Sequence, residues 1–431
     1  MKIIRYPAKE KWHEILKRPY QDTQETQIEK KVQKIVKEVK KDRDAALHKF
    51  TKLFDRVNLK SFRVSDNEIQ KAIDTVDNKL KRAVNLAIKN IKKFHQAQIE
   101  KSAPIETTTG VLCWRKSVAI EKVGLYIPGG TAPLFSTLLM LAVPAKIAGC
   151  NEIILSTPPD SKGRIHPTIL YCAYKVGINT IVKLGGAQAI AAMAYGTESV
   201  PKVYKIFGPG NQYVTVAKQL VSREGIAIDL PAGPSEVVVV ADHLADPEFV
   251  AADLLAQAEH GIDSHVLLIT QDESLLTRVS IAIQQQLNIL PRRSYAEVAL
   301  KESKMILVSD LDQAMKLVNI YAPEHLILLV RNPNKLTGKV INAGSVFLGE
   351  YTPEAAGDYA SGTNHTLPTS GYARNYSGVS LDSFIKKISF QSISAQGLKN
   401  IGPVIEKMAA AEGMEGHRNS ISVRLNRINK D

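Results

Sequence analysis

Two stretches of the chain carry residue types suited to metal or acid–base chemistry. Ala251–Gly261 reads AADLLAQAEHG, and its apolar positions Ala251, Leu254, Leu255 and Ala258 recur at helical spacing. That pattern predicts an amphipathic helix with Gly261 as its C′ stop. Gln257 and His260 lie three residues apart and share a face of the last turn. Two such donors are half of a metal site and need partners from elsewhere in the chain. The bland alternative is a helix end whose His260 bonds backbone. Further donors are Asp358 in Ala356-Gly357-Asp358-Tyr359, His365 in a glycine-rich loop, and His417 in Glu415-Gly416-His417. Linear spacing does not choose among them. A set of imidazoles and oxygens suits Zn²⁺ and excludes a soft-metal site. The second stretch is Glu324-His325, which follows Pro323 and precedes the apolar run Leu326–Val330. At a strand entrance, an adjacent carboxylate and imidazole can divide the labour, one taking a proton from substrate and the other activating water. A surface glutamate beside a structural histidine is the competing reading.

The elements that must position these groups follow from hydrophobic periodicity. Glu25–Asp55 carries a helical stripe, and the capping box Ser65/Glu68 opens a second long helix reaching Phe94. From Val123 short apolar strands alternate with helices. Strands are predicted at Val123–Ile127, Glu152–Ser156, Thr180–Leu184, Val203–Phe207 and Ile226–Asp229, and helices at Phe135–Ala148, Pro167–Val176, Ala187–Tyr195 and Gln212–Val221. A second series has strands at Glu236–Ala241, His265–Thr270, Lys304–Val308, Leu326–Val330 and Ser345–Leu348. Its helices are Pro247–Glu259, Glu273–Leu287 and Leu311–Tyr321. Such alternation means parallel sheets with both faces covered. The fold class expected is therefore α/β, two doubly wound, Rossmann-like domains plus a small N-terminal segment and a helical C-terminal tail. The domains are read as 1–20 (helical segment), 21–122 with 236–379 (first α/β domain, with metal and catalytic residues), 123–235 (second α/β domain, with NAD) and 380–431 (tail).

Three glycine turns, Gly129-Gly130, Gly185-Gly186 and Gly208-Pro209-Gly210-Asn211, fall between strand and helix. Open α/β sheets bind ligands at such carboxyl ends, and helix N-termini there favour phosphate. Tyr213 replaces the third glycine of GxGxxG and there is no Walker sequence, so a dinucleotide would be held atypically.

Net charge is +13, which raises the possibility of a nucleic-acid partner. Residues 1–105 hold 26 Lys/Arg against 14 Asp/Glu and so nearly all of that excess. The basic residues alternate with apolar ones, without interleaved aromatic stackers, as on a solvated helix face. No nucleic-acid or membrane partner is expected. Three cysteines without a CxxC, and an N-terminus without an apolar h-region, point to a reducing, cytoplasmic setting.

Seven segments, AADLLAQAEHGIDS, YAPEHL, NAGSVFLGEYTPEAAGDYASGTNHTLPT, GLYIPGGTAPLFSTLLM, LGGAQAIAAMAYGT, FGPGNQYV and DLPAGPSE, closely resemble histidinol dehydrogenases. The resemblance covers nearly the whole chain and is loosest in the basic N-terminal third. It implies that Gln257, His260, Asp358 and His417 bind one Zn²⁺ per subunit, and that Glu324 and His325 are catalytic. It further implies that Tyr126, Gln188 and Asn211 contact NAD. Ser235 and Glu412, with His325 and the metal ligands, would contact L-histidinol. The implied assembly is a homodimer in which each tail completes its partner's site. The rival enzyme class is a zinc hydrolase with Glu324 activating metal-bound water, which leaves the three glycine turns unexplained.

Overall fold

The computed structural model describes residues 1–18, 25–100, 102–129, 133–230 and 233–430. Gly130 of the first glycine turn, Pro231-Ala232 of the DLPAGPSE segment and the end of the 1–20 segment lie outside the described residues. In chain order the strands are β1 (Lys2–Arg5), β2 (Ile105–Thr108), β3 (Val111–Ala119), β4 (Lys122–Tyr126), β5 (Glu152–Thr157), β6 (Thr180–Lys183) and β7 (Lys205–Phe207). They continue with β8 (Ala227–Ile228), β9 (Glu236–Ala241), β10 (His265–Thr270), β11 (Lys304–Leu307), β12 (His325–Leu329), β13 (Ser345–Leu348) and β14 (Ile385–Ile393). Two of the sheets are wholly parallel, a six-stranded one in the order β1-β11-β10-β9-β12-β13 and a five-stranded one in the order β6-β5-β4-β7-β8. Helices cover both faces of each, so the central strands are apolar through their middles. Every residue of β9 and β10 is buried.

The chain divides into two compact units. One comprises Met1–Ala97 with Ile120–Phe384, and the other Gln98–Ala119 with Ile385–Asp431. Both parallel sheets belong to the first. The second holds an antiparallel sheet, β14-β3-β2, and the helices Ala395–Ala411 and Glu415–Ile428.

Four expectations need correction. The 1–20 segment opens with strand β1, paired to β11, before its short helical turn. The long helix after Ser65 is two helices, Asp66–Thr75 and Asn78–Gln96, because Val76 turns extended and Asp77 caps the second. In the 380–431 segment the turn Leu381–Phe384 and strand β14, paired along its whole length to β3, precede the helical part, which starts at Ala395. The helices of residues 25–96 pack on the five-stranded sheet and its helices, not on the six-stranded sheet with which residues 21–122 are grouped above. Val32, Val39, Leu47 and Phe50 share a core with Ile190, Ala191 and Met193, while Val84 and Ile91 join Leu138 and Leu141. The apolar stripe thus faces inward, and the lysines of Glu25–Phe50 face solvent.

Candidate active site

The helix carrying the first motif runs from Pro247 to Ala258 with Glu259 as its C-cap. Ala251, Leu254, Leu255 and Ala258 are all buried, as the spacing predicts. Gly261 is not a left-handed stop, since its φ is not positive. Its amide instead donates to Ser264 Oγ at 3.1 Å, and a Cβ there would lie 2.6 Å from Asp263 Oδ1. Gln257 is buried in the last turn, and His260 stands just beyond it, more exposed. Asp358 comes from a six-residue helix, Glu354–Tyr359, whose first residue, Glu354, is 1% exposed and sits one turn before it on the same face. One ligand atom each from His260, Glu354 and Asp358 lie within 4.8 Å of one another. Gln257 adjoins them. Its amide is satisfied when the nitrogen donates to Glu354 Oε1 and the oxygen accepts from Glu236 N at 2.8 Å. This donor set fits a zinc-type ion.

The Glu324-His325 pair reaches the same cluster from the amino end of β12. Ala322, left-handed at φ 54° and ψ 68°, ends the preceding helix, and this uncommon conformation turns the chain into the strand. Glu324 Oε2 accepts from Glu236 N at 2.9 Å, and His325 Nδ1 lies 3.2 Å from Glu236 O. Nδ1 is also 3.6 Å from Glu324 Oε2 and 3.8 Å from Glu354 Oε1, and Nε2 is 3.7 Å from Asp358 Oδ1. Nε2 itself has no hydrogen-bond partner. Burial raises Glu324 to about 7, partly offset by His325. For His325, burial opposes the imidazolium, but Glu354, Glu324 and Asp358 outweigh it and raise the ring to about 10. Burial holds Glu354 well above the ordinary carboxylate range. Asp358 is lowered: burial opposes this, but the His325, His365 and His260 rings prevail. Burial lowers His260 and His365. Crowded carboxylates around imidazoles are an electrostatic arrangement that a bound cation would complete.

His365, the rival donor, is engaged elsewhere. Its Nδ1 is 2.9 Å from Asp358 O and its Nε2 3.1 Å from Thr137 Oγ1. It therefore buttresses Asp358, and Asn364 ties the same loop to Met140 O at 2.6 Å.

At the carboxyl edge of the five-stranded sheet lies a cavity of about 1520 Å³, lined by Tyr126, Gly129, Pro158, Gly185, Gln188 and Asn211 among others. Gly208, at φ 123°, packs so tightly that a Cβ would lie 2.0 Å from Tyr126 O. Gly186, at φ 65°, donates its amide to the Tyr126 hydroxyl at 3.0 Å. Asn211 caps the helix Gln212–Ser222, accepting from Val214 N at 3.2 Å. Gln188 Oε1 is buried without a partner. The cavity's size, its helix N-termini and this orphaned acceptor fit a dinucleotide.

A family model described as histidinol dehydrogenase matches residues 17–425. The chain belongs to the histidinol dehydrogenase family. Histidinol dehydrogenase of Bacteroides thetaiotaomicron is 59% identical over 428 residues, covering 99% of this chain and 100% of its own. That of a Bacteroides fragilis strain is 57% identical over 430 residues, covering all of both chains. The crystal structure of histidinol dehydrogenase from Elizabethkingia anophelis superposes with a TM-score of 0.97 at 53% identity, covering 100% of this chain and 99% of that one. The chain is accordingly an oxidoreductase with the histidinol dehydrogenase fold.

Of the sites expected in a histidinol dehydrogenase, the first unit brings together Gln257, His260, Asp358, Glu324 and His325. Ser235 immediately precedes β9, and its carbonyl accepts from His265 N at 3.0 Å. Tyr126, Gln188 and Asn211 share the separate cavity. Glu412 and His417 belong to the second unit, both exposed, on the C-cap of one helix and in the next. The sequence reading misses Glu354, although its i,i+4 spacing to Asp358 was a usable signal. It also misses Glu236, whose backbone contacts the Glu324 and His325 side chains but which has no side-chain signature for that role.

Proposed function

We propose that the chain performs the zinc- and NAD-dependent oxidation of L-histidinol to L-histidine through L-histidinal, the last steps of histidine biosynthesis, in the cytoplasm. The observation that carries this reading is one buried acid–base pair, Glu324-His325, set against a metal-type donor cluster, in a chain that also has a dinucleotide-sized cavity. A zinc hydrolase leaves that cavity without a ligand. Gln257, His260 and Asp358 would hold the ion, with His417 as the remaining ligand. When bound, zinc supplies charge that fixes the substrate's imidazole and amine and balances the carboxylates, and NAD, beside Tyr126, Gln188 and Asn211, accepts hydride.

The chain's own groups then act in sequence. His325, neutral once the surrounding carboxylates are balanced, takes the hydroxyl proton at its unpartnered Nε2 as the carbinol carbon gives up hydride. Glu324, raised to about 7, is suited to take a proton from the water that attacks the aldehyde. The resulting hydrate gives a hydroxyl proton to His325, which has by then released the first to solvent, and a second hydride to a second NAD, and the acid so formed ionises to the carboxylate. Burial would keep the aldehyde from escaping between steps, and Ser235 is the further residue proposed to orient the substrate. Glu412 and His417 are read as completing the site of the other subunit in a homodimer, since their helical segment is largely exposed. The assay is NADH formed per histidinol consumed, before and after chelation. Two NADH without released aldehyde, abolished by chelation, are expected. A ratio of one, or a rate untouched by metal removal, overturns the reading.

A further inference from the structure

Strand β9 is apolar from Val237 onward, yet it opens with a charged residue, Glu236. The main chain of Glu236 faces the acid–base pair. Its amide donates to Glu324 Oε2 at 2.9 Å, and its carbonyl lies 3.2 Å from His325 Nδ1. A carbonyl oxygen can only accept, so this contact puts the ring proton on Nδ1 and leaves Nε2, the atom without a partner, free to take one. One residue's two peptide groups therefore set both the aim of the carboxylate and the tautomer of the imidazole. What fixes that residue is its own side chain. Arg18 grips the carboxylate with two nitrogens, Nε on Oε1 and Nη2 on Oε2, the second at 2.8 Å. Nη2 also donates to Tyr321 O at 2.9 Å, and the guanidinium lies 3.9 Å over the Tyr321 ring. Tyr321 ends the helix that leads through Ala322 and Pro323 into Glu324. Ser370 N, from the loop beyond Asp358 and His365, donates to Oε1 at 2.9 Å. The Arg18 and Glu236 side chains are 11% and 2% exposed. Stability alone is a poor reason to keep so buried a pair, since apolar residues of similar volume often serve as well or better. Its forked geometry instead fixes direction, which a point charge cannot do.

We propose that Arg18 is a positioning residue for the oxidation: by tying the Glu236 carboxylate to the Tyr321 carbonyl it locks the start of β9 against the turn into β12, and so holds Glu324 and His325 in reacting geometry. This rests on the roles given to that pair above. The sheet register already sets His325 opposite Val237. It leaves the two peptide groups of Glu236 free to rock, and the guanidinium removes that freedom. A misplacement of about 1 Å at reacting groups costs on the order of 10²-fold in rate. Both oxidations should feel the loss of Arg18, because the main chain of Glu236 meets both members of the pair. Substrate affinity should not, because Arg18 acts through Glu236.

The test is steady-state kinetics of zinc-loaded Arg18→Met, Arg18→Lys, Glu236→Gln and the double variant Arg18→Met/Glu236→Gln, on histidinol and on supplied histidinal. Zinc content and urea unfolding are measured on each, and Glu324→Gln and His325→Asn serve as references. Arg18→Met and Glu236→Gln should lower kcat about 10²-fold on both substrates, with KM within about threefold of wild type. Arg18→Lys keeps the charge but not the fork and should lose about tenfold. The double variant strands no charge, so it should be more stable than either single, but its kcat should stay low because nothing orients the Glu236 peptides. If kcat recovers in step with stability, or if kcat per bound zinc is unchanged in the singles, the role is purely structural and the inference is overturned. Should a single variant fail to fold, Arg18→Lys and the double variant decide, and wild-type kcat in both overturns it. If the references lose activity while every Arg18 variant keeps it, the positioning role fails and the reading of the pair stands. If both references stay fully active, that reading fails and the inference fails with it.

Discussion

Replacing Lys218 by Met should weaken the fold and the cavity proposed for NAD together. The side chains of Lys218 and Asp229 form an ion pair and are only 4% and 1% exposed. Lys218 Nζ also donates to Gly208 O at 2.9 Å, while Asp229 accepts from Gly208 N at 2.7 Å and Leu230 N at 2.8 Å. The pair thus clamps both polar groups of Gly208, the residue whose backbone abuts Tyr126. Removing one member of a buried pair costs about 3–5 kcal/mol, because the other charge stays behind unneutralised. Asp229 keeps two backbone donors, so Lys218→Met is expected at the lower end, about 3 kcal/mol. The double variant Lys218→Met/Asp229→Asn should be less damaging than the sum of the singles by about 2 kcal/mol. The assay is urea unfolding, with hydrogen exchange at residues 205–218 to show that the turn itself loosens. NADH affinity, measured in parallel, should fall about tenfold as the turn shifts. A loss below about 1 kcal/mol, or additivity of the two changes, would refute the clamp.

Glu324→Gln should slow the oxidation of supplied histidinal by about 10²–10⁴-fold while sparing the first oxidation, whereas His325→Asn should slow both. Separate rates on histidinol and histidinal check this, and equal losses for Glu324→Gln contradict the division of labour. Asp55, its pKa raised by burial from 3.8 to about 6, destabilises the folded protein above that range and not below pH 4. Asp55→Asn should therefore raise stability at pH 7.5 by about 1–2 kcal/mol after allowance for solvent screening, with no gain at pH 4, as read by urea midpoints. Mixing His325→Asn with His417→Asn should restore activity in hybrids if the tail serves the neighbouring subunit, because one site then receives both intact groups. Demonstrated hybrids without activity rule the exchange out.

The parallel sheets were legible because both faces are covered, which writes each central strand as a run of four or more apolar residues with polar ones only at its ends. Glu236–Ala241 and His265–Thr270 have in the structure the same bounds that their composition predicts. The antiparallel sheet was not legible. All of β2 is exposed, β14 scatters apolar residues among an adjacent lysine pair and other polar side chains, and its partner β3 lies far away in sequence. No local window contains the energetic reason for that pairing. The site divides in the same way. Gln257 and His260 announce themselves by sharing a helical turn, but their proximity to Glu324 and Asp358 depends on β12 lying beside β9 in a register that sets His325 opposite Val237. Arg18 could not be singled out at all, since only the folded sheet brings its guanidinium to a carboxylate 218 positions along the chain.

What the sequence reading left unstated is that the two sites use opposite ends of the same βα geometry. Helices that follow the strands of the five-stranded sheet begin at its carboxyl edge, so Gly186 and Gln212 present helix N-termini to the cavity. Those ends carry partial positive charge and suit a pyrophosphate. In the six-stranded sheet the helix Pro247–Ala258 runs back to the amino edge, and it delivers Gln257 and His260 at its C-terminal end, where β12 also begins. That end carries partial negative charge and suits a cation. Carboxylates from Glu324, Glu354 and Asp358 add to the same field. Glu324 and His325 therefore sit away from the carboxyl edge where α/β ligands usually bind, at the end whose field suits the cation proposed for this site.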